Sequence, residues 1–378
     1  MKLLYIVNSS AFFCSHFLEL ALRTKARGCE VVIIAGDGDM EMELIKLGFE
    51  FHAVNLSRKG VNLLAEIKFI LKLNRLIKLI KPDIIHSFTI KPIIYTGVVN
   101  LFSNMKCLNV ASITGLGSAS LSKRLKHKGL WFFLTKLYKL VFLKKNTVVI
   151  FENTDDLKLF SDLKIVNANS AHLVNGAGID TTEFIPSLDK VEPYKVTMVS
   201  RLLKDKGVLE FIEAGRILRE KGTNVVMQLV GSTDFGNISS ITKEELDSAV
   251  KRGDVEYLGQ RDDIKFIYQK SHVACLPSYR EGLPKSLIEA AACGLPIITT
   301  DVPGCRQMVF NSKNGWLVPA KNAMKLAEAI ELILNSPGKL DEMGKQSRIA
   351  AVMLFDYEVV ISSFHEIYGL ENNFELKV

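Results

Sequence analysis

The sequence predicts an α/β chain made of two Rossmann-like domains, each a parallel sheet with helices on both faces. Three observations carry this. Short β-branched runs alternate with helix-length amphipathic stretches from end to end. The alternation comes in two series, parted at residues 182–194 by a segment with Pro186, Pro193 and no apolar periodicity. The length, 378 residues, allows each series its own core. The domains are expected at 1–185 and 186–378, with the last helix, about 356–370, packing back towards the first.

In order, the first series predicts strands at 3–7, 30–35, 51–54, 84–87, 108–113 and 147–151. The second predicts strands at 195–200, 225–230, 256–258, 273–276 and 297–300. Strands separated by helices of about ten residues or more pair in parallel. Residues 357–368 have the spacing of an amphipathic helix. No short repeat or low-complexity segment interrupts the pattern.

Composition narrows the class. Hydrophobic residues at 48% and charged residues at 24% describe a globular chain, not a disordered one. No uninterrupted apolar run reaches 18 residues, so no spanning helix is expected. The apolar run at 3–7 is too short for a signal peptide and reads as a strand. Six scattered cysteines (14, 29, 107, 275, 293 and 305) form no C-x-x-C pair, which fits a reducing cytoplasm and argues against a zinc site. The net charge of +7 is unevenly spread. Through residue 179 there are 24 Lys and Arg against 13 Asp and Glu, about +11, and the rest carries about −4. Between Arg58 and Lys145, 17 basic residues face only Glu66 and Asp83. Such asymmetry points the first half at an anionic surface.

Open α/β sheets bind ligands at the carboxyl ends of their strands. In the second series those ends are Ser200-Arg201, Gly231-Ser232, Gly259-Gln260-Arg261 and Pro277-Ser278-Tyr279, expected to converge on one cleft. The most informative segment follows: residues 280–292 read R-E-G-L-P-K-S-L-I-E-A-A-A. Pro284 suits a first helical turn, and Gly294-Leu295-Pro296 ends the helix. An eight-residue step is about two turns, so Glu281 and Glu289 are expected on roughly one helical face. A helix start favours an anion, while two acids favour hydroxyl donors. A nucleotide sugar offers both, although E-x7-E by itself also arises in ordinary helices. The loop Arg201 to Gly207 holds Arg and Lys before a helix, suited to a diphosphate or simply solvated.

At this point the chain resembles a known family. S-R-L-x-x-x-K-G after a strand, then P-S-x-x-E-G-x-P-x-x-x-x-E-A-x-A-C-G-L-P-I-I-x-T-D, then N-G-W-L-V-P, resemble the retaining family 4 glycosyltransferases. The resemblance implies the GT-B fold, two Rossmann-like parallel-sheet domains facing across a cleft. The segments at 83–92 and 113–118 resemble the subgroup that builds bacterial polysaccharides on polyprenyl diphosphate. The resemblance implies that Arg201 and Lys206 clamp the donor diphosphate and that Glu281 orients the transferred sugar. It implies that Glu289 accepts from ribose hydroxyls, with Gly282, Leu283, Lys285 and Ser286 completing the phosphate site. Gly231 and the turn at 259–263, including Arg261, would hold the base, expected to be uracil. Asn8, His16, His86, Thr114 and Gly115 would line the acceptor side, a structural role being the other reading of both histidines. Two departures stand out. Asn8-Ser9-Ser10-Ala11 replaces the family's Gly-Gly loop, and Ile113-Thr114-Gly115-Leu116 lacks its histidine.

No cofactor and no metal are expected, since Arg201, Lys206 and the helix start can stabilise the leaving charge. Asp37-Gly38-Asp39 reads as a turn. Two routes to retention stay open: a covalent glycosyl on Glu281, or same-face attack with the leaving phosphate taking the acceptor proton. The resemblance favours the second.

Residues 61–81 read as a helix with Lys68, Lys72 and Arg75 on one stripe. The stretch 120–145 interleaves Lys123, Arg124, Lys126, Lys128, Lys136, Lys139, Lys144 and Lys145 with Trp131, Phe132, Phe133, Tyr138 and Phe142. That mixture suits an anionic bilayer surface. The same composition suits RNA, but no nucleic-acid motif is present, and Leu130, Phe133, Leu137 and Val141 are alternatively core. The expectation is a peripheral enzyme on the inner face of the cell membrane. It would move hexose or N-acetylhexosamine from a UDP-sugar to a lipid-linked saccharide. A UDP-sugar epimerase and a non-catalytic nucleotide-sugar scaffold are the alternatives. An oxidoreductase is disfavoured because no G-x-G-x-x-G follows the first strand.

Overall fold

The computed structural model describes residues 1–54, 56, 63–103, 105–116, 125–187, 191–234 and 237–370. Arg58, Gly117, Ser118, Lys123 and Arg124 lie outside these, as do the side chains of Lys126 and Lys128. The chain forms two compact units. The first takes Met1–Ala177 and the chain from Val360 onward; the second takes Gly178–Val359.

Unit 1 runs β1 (Lys2–Val7), α1 (Ser10–Ala26), β2 (Glu30–Ala35), α2 (Glu41–Lys46), β3 (Glu50–Ala53), α3 (Leu63–Ile80), β4 (Ile84–Phe88), α4 (Ile90–Phe102), β5 (Leu108–Ile113), α5 (Leu125–Val141), β6 (Thr147–Phe151), α6 (Thr154–Asp162) and β7 (Ala171–Leu173). Its strands pair in parallel in the order β3-β2-β1-β4-β5-β6-β7. The central strands are covered on both faces, which is why they read as unbroken apolar runs such as Glu30-Val-Val-Ile-Ile-Ala35.

Unit 2 runs β8 (Tyr194–Val199), α7 (Val208–Glu220), β9 (Val225–Val230), α8 (Lys243–Arg252), β10 (Glu256–Tyr257), α9 (Ile264–Gln269), β11 (Val273–Leu276), α10 (Lys285–Ala292), β12 (Ile297–Thr300), β13 (Gly315–Val318), α11 (Ala323–Leu334) and α12 (Pro337–Leu354). Its parallel order is β10-β9-β8-β11-β12-β13. The last helix, α13 (Tyr357–Ile367), crosses from one unit to the other at Val360.

Two strands were not expected from sequence, β7 and β13. Each is three or four residues long at a sheet edge, too short for a period to show, and exists because the neighbouring strand offers backbone partners. The chain also enters unit 2 at Gly178, earlier than the expected boundary at 185. Arg348 explains it. Its guanidinium donates to the carbonyls of Thr181 at 2.8 Å, Phe184 at 2.7 Å and Ala292 at 2.9 Å, tying residues 181–184 to α12 and α10.

Candidate active site

The second sheet reverses its chain order between β8 and β11, and a crevice at the carboxyl ends is the default ligand site of such a sheet. The loops leaving these two strands lie directly on one another. Gly207 adopts φ +76°, and a Cβ there would collide with the Pro277 carbonyl. The Tyr279 N–H and Ser278 Oγ both donate to the Asp205 carbonyl, at 2.9 and 3.1 Å. This stitching brings Lys206, at the end of a 3-10 turn after β8, against Glu281 after β11. The Lys206 Nζ donates to both Glu281 carboxylate oxygens at 2.6 Å. Their side chains are 23% and 11% exposed, so the pair is mostly withdrawn from water yet still reachable.

The expected helical face with two glutamates does not form. Helix α10 begins at Lys285 with Pro284 as its N-cap, so Glu281 stands in the loop before it and only Glu289 is on the helix. Pro284 disfavours a helical conformation in the residue before it and has no N–H of its own, which places the helix start after it. The Glu281 N–H donates instead to the Pro303 carbonyl at 3.1 Å. Helix α10 has no side-chain cap hydrogen bond and no acid in its first turn, and a helix start of this kind favours an anion. Glu289 lies one turn in. Burial raises its carboxyl from 4.5 to about 7, against the pull of Lys285, whose Nζ is 3.8 Å away.

The other loops complete this edge. Gly231 has φ +137° and sits so close to the Ser200 carbonyl that no Cβ fits. Its N–H donates to the Gly259 carbonyl at 2.8 Å, and Tyr257 Oη donates to the Gly231 carbonyl at 2.9 Å. Arg201, 59% exposed, pairs with Asp234 of the loop after β9 at 2.9 Å. Arg261 pairs with Asp263 at 2.6 Å. Gly282 and Leu283 are buried; Lys285 and Ser286 are half-buried. Within unit 2 the structure thus joins Lys206 to Glu281, Lys285 to Glu289, and Gly231 to both neighbouring turns.

Unit 1 treats its candidates differently. Asn8, His16, Thr114 and Gly115 are half-buried, and His16 stacks on Phe12 at 4.4 Å. His86 must be corrected. It is fully buried, its Nδ1 shares a 2.6 Å hydrogen bond with Tyr368 Oη, and its Nε2 shares one of 2.7 Å with Ser112 Oγ. Burial holds its pKa well below the usual histidine value. With both nitrogens used inside the core, it lines no acceptor site. Asp37 accepts from the N–H of Ser10 at 2.9 Å and from its hydroxyl, the work of a turn. Among the described residues, no three His, Cys, Asp or Glu side chains gather as a metal site.

Sequence reasoning missed Thr89, which follows β4 with φ +69° and whose buried hydroxyl has no hydrogen-bond partner among the described residues. A β-branched residue in that region is strained, and strain concentrates at functional sites. It also missed Asp234, Pro303 and the bond from Tyr279 Oη to Glu210 at 2.6 Å. The Val302-Pro303-Gly304 turn after a strand was the available signal for Pro303.

The outer faces of α3 and α5 carry bases beside apolar groups. On α3, Lys68, Lys72 and Arg75 are exposed along with Leu64, Ile67 and Leu71. On α5, Tyr138 and Val141 are core and Leu137 packs against it, whereas Leu130, Phe132 and Phe133 are exposed, with Lys136 Nζ 5.3 Å from the Phe132 ring centroid. Helix α4 packs against both α3 and α5. Among the described residues no helix is long and apolar enough to cross a membrane.

Comparison with known proteins accounts for both units. Residues 2–153 match the model of the glycosyl transferase 4-like family, and residues 180–350 match that of glycosyl transferases group 1. The chain is 28% identical to N,N'-diacetylbacillosaminyl-diphospho-undecaprenol alpha-1,3-N-acetylgalactosaminyltransferase of Campylobacter jejuni, over 97% of this chain and 98% of that one. It is 24% identical to the UDP-Gal:alpha-D-GlcNAc-diphosphoundecaprenol alpha-1,3-galactosyltransferase of Escherichia coli, over 82% and 81% of the two chains. Among solved structures, Anabaena Alr3699/HepE in complex with UDP aligns with a TM-score of 0.78 at 18% identity, covering 98% of this chain and all of that one. Two parallel-sheet units, each matching its half of the same enzyme type, place the chain among the glycosyltransferases of group 1 and the 4-like family, with the GT-B fold.

Proposed function

We propose that the protein is a retaining glycosyltransferase that moves hexose or N-acetylhexosamine from a UDP-sugar to a polyprenyl-diphosphate-linked saccharide in surface-polysaccharide assembly. The observation that carries this reading is the Lys206–Glu281 pair at the sheet's switch point, an ammonium for a diphosphate beside a carboxylate for sugar hydroxyls. Two relatives of the chain are named for diphospho-undecaprenol acceptors, one of them for UDP-Gal, and a solved neighbour holds UDP.

In this reading Arg201, Lys206 and the start of α10 receive the diphosphate, and Glu289 accepts from the ribose hydroxyls. The bond from the anomeric carbon to the β-phosphate oxygen breaks, and the electron pair stays on that oxygen. The acceptor hydroxyl bonds to the carbon on the same face and its proton passes to the phosphate. Glu281, whose two oxygens accept from Lys206 until the diphosphate draws that ammonium away, orients the sugar rather than attacking it. The charge that develops on the phosphate falls where Lys206 can stabilise it, so the scheme asks for no metal. The acceptor lies against unit 1, beside Asn8, Thr89, Thr114 and Gly115. The exposed bases and aromatics of α3 and α5 dock this unit on an anionic bilayer, at about 1 kcal/mol per basic residue near the surface.

One experiment tests the whole. Purified protein is mixed with anionic vesicles bearing lipid-linked acceptor and a panel of UDP-, GDP- and ADP-sugars. The expected result is co-sedimentation at low salt and a glycolipid formed from a UDP-sugar with its anomeric configuration kept. A GDP- or ADP-sugar as best donor, or an inverted product, overturns the donor or retention reading. Protein left in the supernatant overturns docking. Conversion of the nucleotide sugar without acceptor would mark an epimerase.

A further inference from the structure

We propose that Glu281 makes the site discriminate intact donor from spent nucleotide, so that the same carboxylate which orients the sugar also expels the product. The inference rests on the nucleotide-sugar reading above and concerns what the Lys206–Glu281 pair does before and after transfer.

The Lys206 ammonium is claimed by Glu281 through two 2.6 Å bonds. With 23% and 11% of the two side chains exposed, water is a poor substitute partner for either ion. Withdrawing one member of such a pair is costly unless something replaces it. A diphosphate that takes Lys206 must therefore leave Glu281 a new partner. An intact donor supplies one, because its sugar hydroxyls can donate to the released carboxylate. The spent nucleotide has no sugar to offer. Once the proton taken from the acceptor hydroxyl has passed on to water, its terminal phosphate carries one more negative charge than it did in the donor, next to a carboxylate in a poorly hydrated site, and like charges there repel. Glu281 then recovers Lys206 and the nucleotide leaves.

The surrounding backbone restricts this exchange to side chains. Glu281 is pinned by its N–H to the Pro303 carbonyl at 3.1 Å, and Gly207, next to Lys206, is wedged against Pro277. Both contacts hold the loops in place, so moving a loop to relieve the repulsion would break them.

The test is calorimetric, on the full chain and its Glu281→Gln variant, with UMP, UDP and four UDP-sugars (glucose, galactose, N-acetylglucosamine, N-acetylgalactosamine). Gln keeps the shape and removes the charge. The expected result is UDP bound at least tenfold more tightly by the variant and the best UDP-sugar bound no more tightly. UMP, which has no terminal phosphate at Lys206, should stay within threefold. UDP unchanged within threefold, or UMP tightened as much as UDP, overturns the proposal. If the Gln variant does not fold, Glu281→Ala carries the same comparison. Wild-type protein that binds none of these nucleotides would remove the donor reading itself; wild-type binding with an unaltered variant removes this inference alone.

Discussion

β4 in unit 1 and β11 in unit 2 occupy matching places, each beside the first strand of its sheet at the point where chain order reverses. Each carries a charged or ionisable residue that sequence reading singled out, His86 and Glu281. Their fates differ. His86 lies inside β4, its ring is sealed between Ser112 and Tyr368, and nothing outside can reach it. Glu281 lies five residues beyond the end of β11, in a loop at the sheet edge, and is held by a lysine that a ligand can displace. Side chains within a covered parallel strand are core whatever their chemistry. Those just past the carboxyl end are where a ligand sits.

The largest effect that would sharpen this contrast comes from Lys206→Ala. Steady-state transfer assays should show a loss of about 2.7–4 kcal/mol in transition-state stabilisation, by analogy with a lost oxyanion donor. Activity within threefold of wild type would remove the edge pair from the mechanism.

His86→Ala should behave in the opposite manner. Leaving Tyr368 and Ser112 without their buried partner costs about 1–3 kcal/mol of stability, read from denaturant unfolding. Turnover per folded molecule, measured well below the melting temperature, should stay within threefold. A hundredfold fall in turnover would return His86 to the acceptor site.

The smallest effect is a pH dependence. Glu289 has a native value near 7 against 4.5 unperturbed, raised by burial. The native state therefore binds its proton more firmly than the unfolded state, and its contribution to stability falls as pH rises from about 4.5 through 7. Only the ionised form accepts as a charged group through both of its oxygens, so UDP affinity should rise over the upper part of that window while stability falls. Glu289→Gln should weaken UDP binding, flatten its pH profile, and be the more stable protein at pH 8 but not at pH 4. A UDP affinity that does not change between pH 6 and 8 would disconnect Glu289 from the nucleotide.

Much of the molecule is legible in one dimension. Ile-Ile-His86 at the end of a short apolar run fixes a strand, and covered strands in series fix a doubly wound sheet. The motif from Arg280 to Ala292 locates the donor loop, and its glycine and proline set the turn. Other features leave no such trace. Arg348 ties residues 181–184 to the end of α10 through three carbonyls of two distant segments, and no local pattern records that. Thr89 is an ordinary threonine in sequence; its positive φ, between β4 and α4, shows only in the folded backbone. Two glutamates do not share one helical face because Pro284, a helix-start residue, stands between them, so that Glu281 precedes the helix and only Glu289 is on it.

The sequence by itself determined the two parallel sheets, the order of their loops and which residue types stand at their edges, because periodicity and turn chemistry are local properties of the chain. The pairing of Lys206 with Glu281, the burial that lifts Glu289 and the sealing of His86 were decided by the folded structure alone. They join residues 26 to 282 positions apart, or depend on how much water the assembled unit excludes, and neither is written in any short stretch of residues.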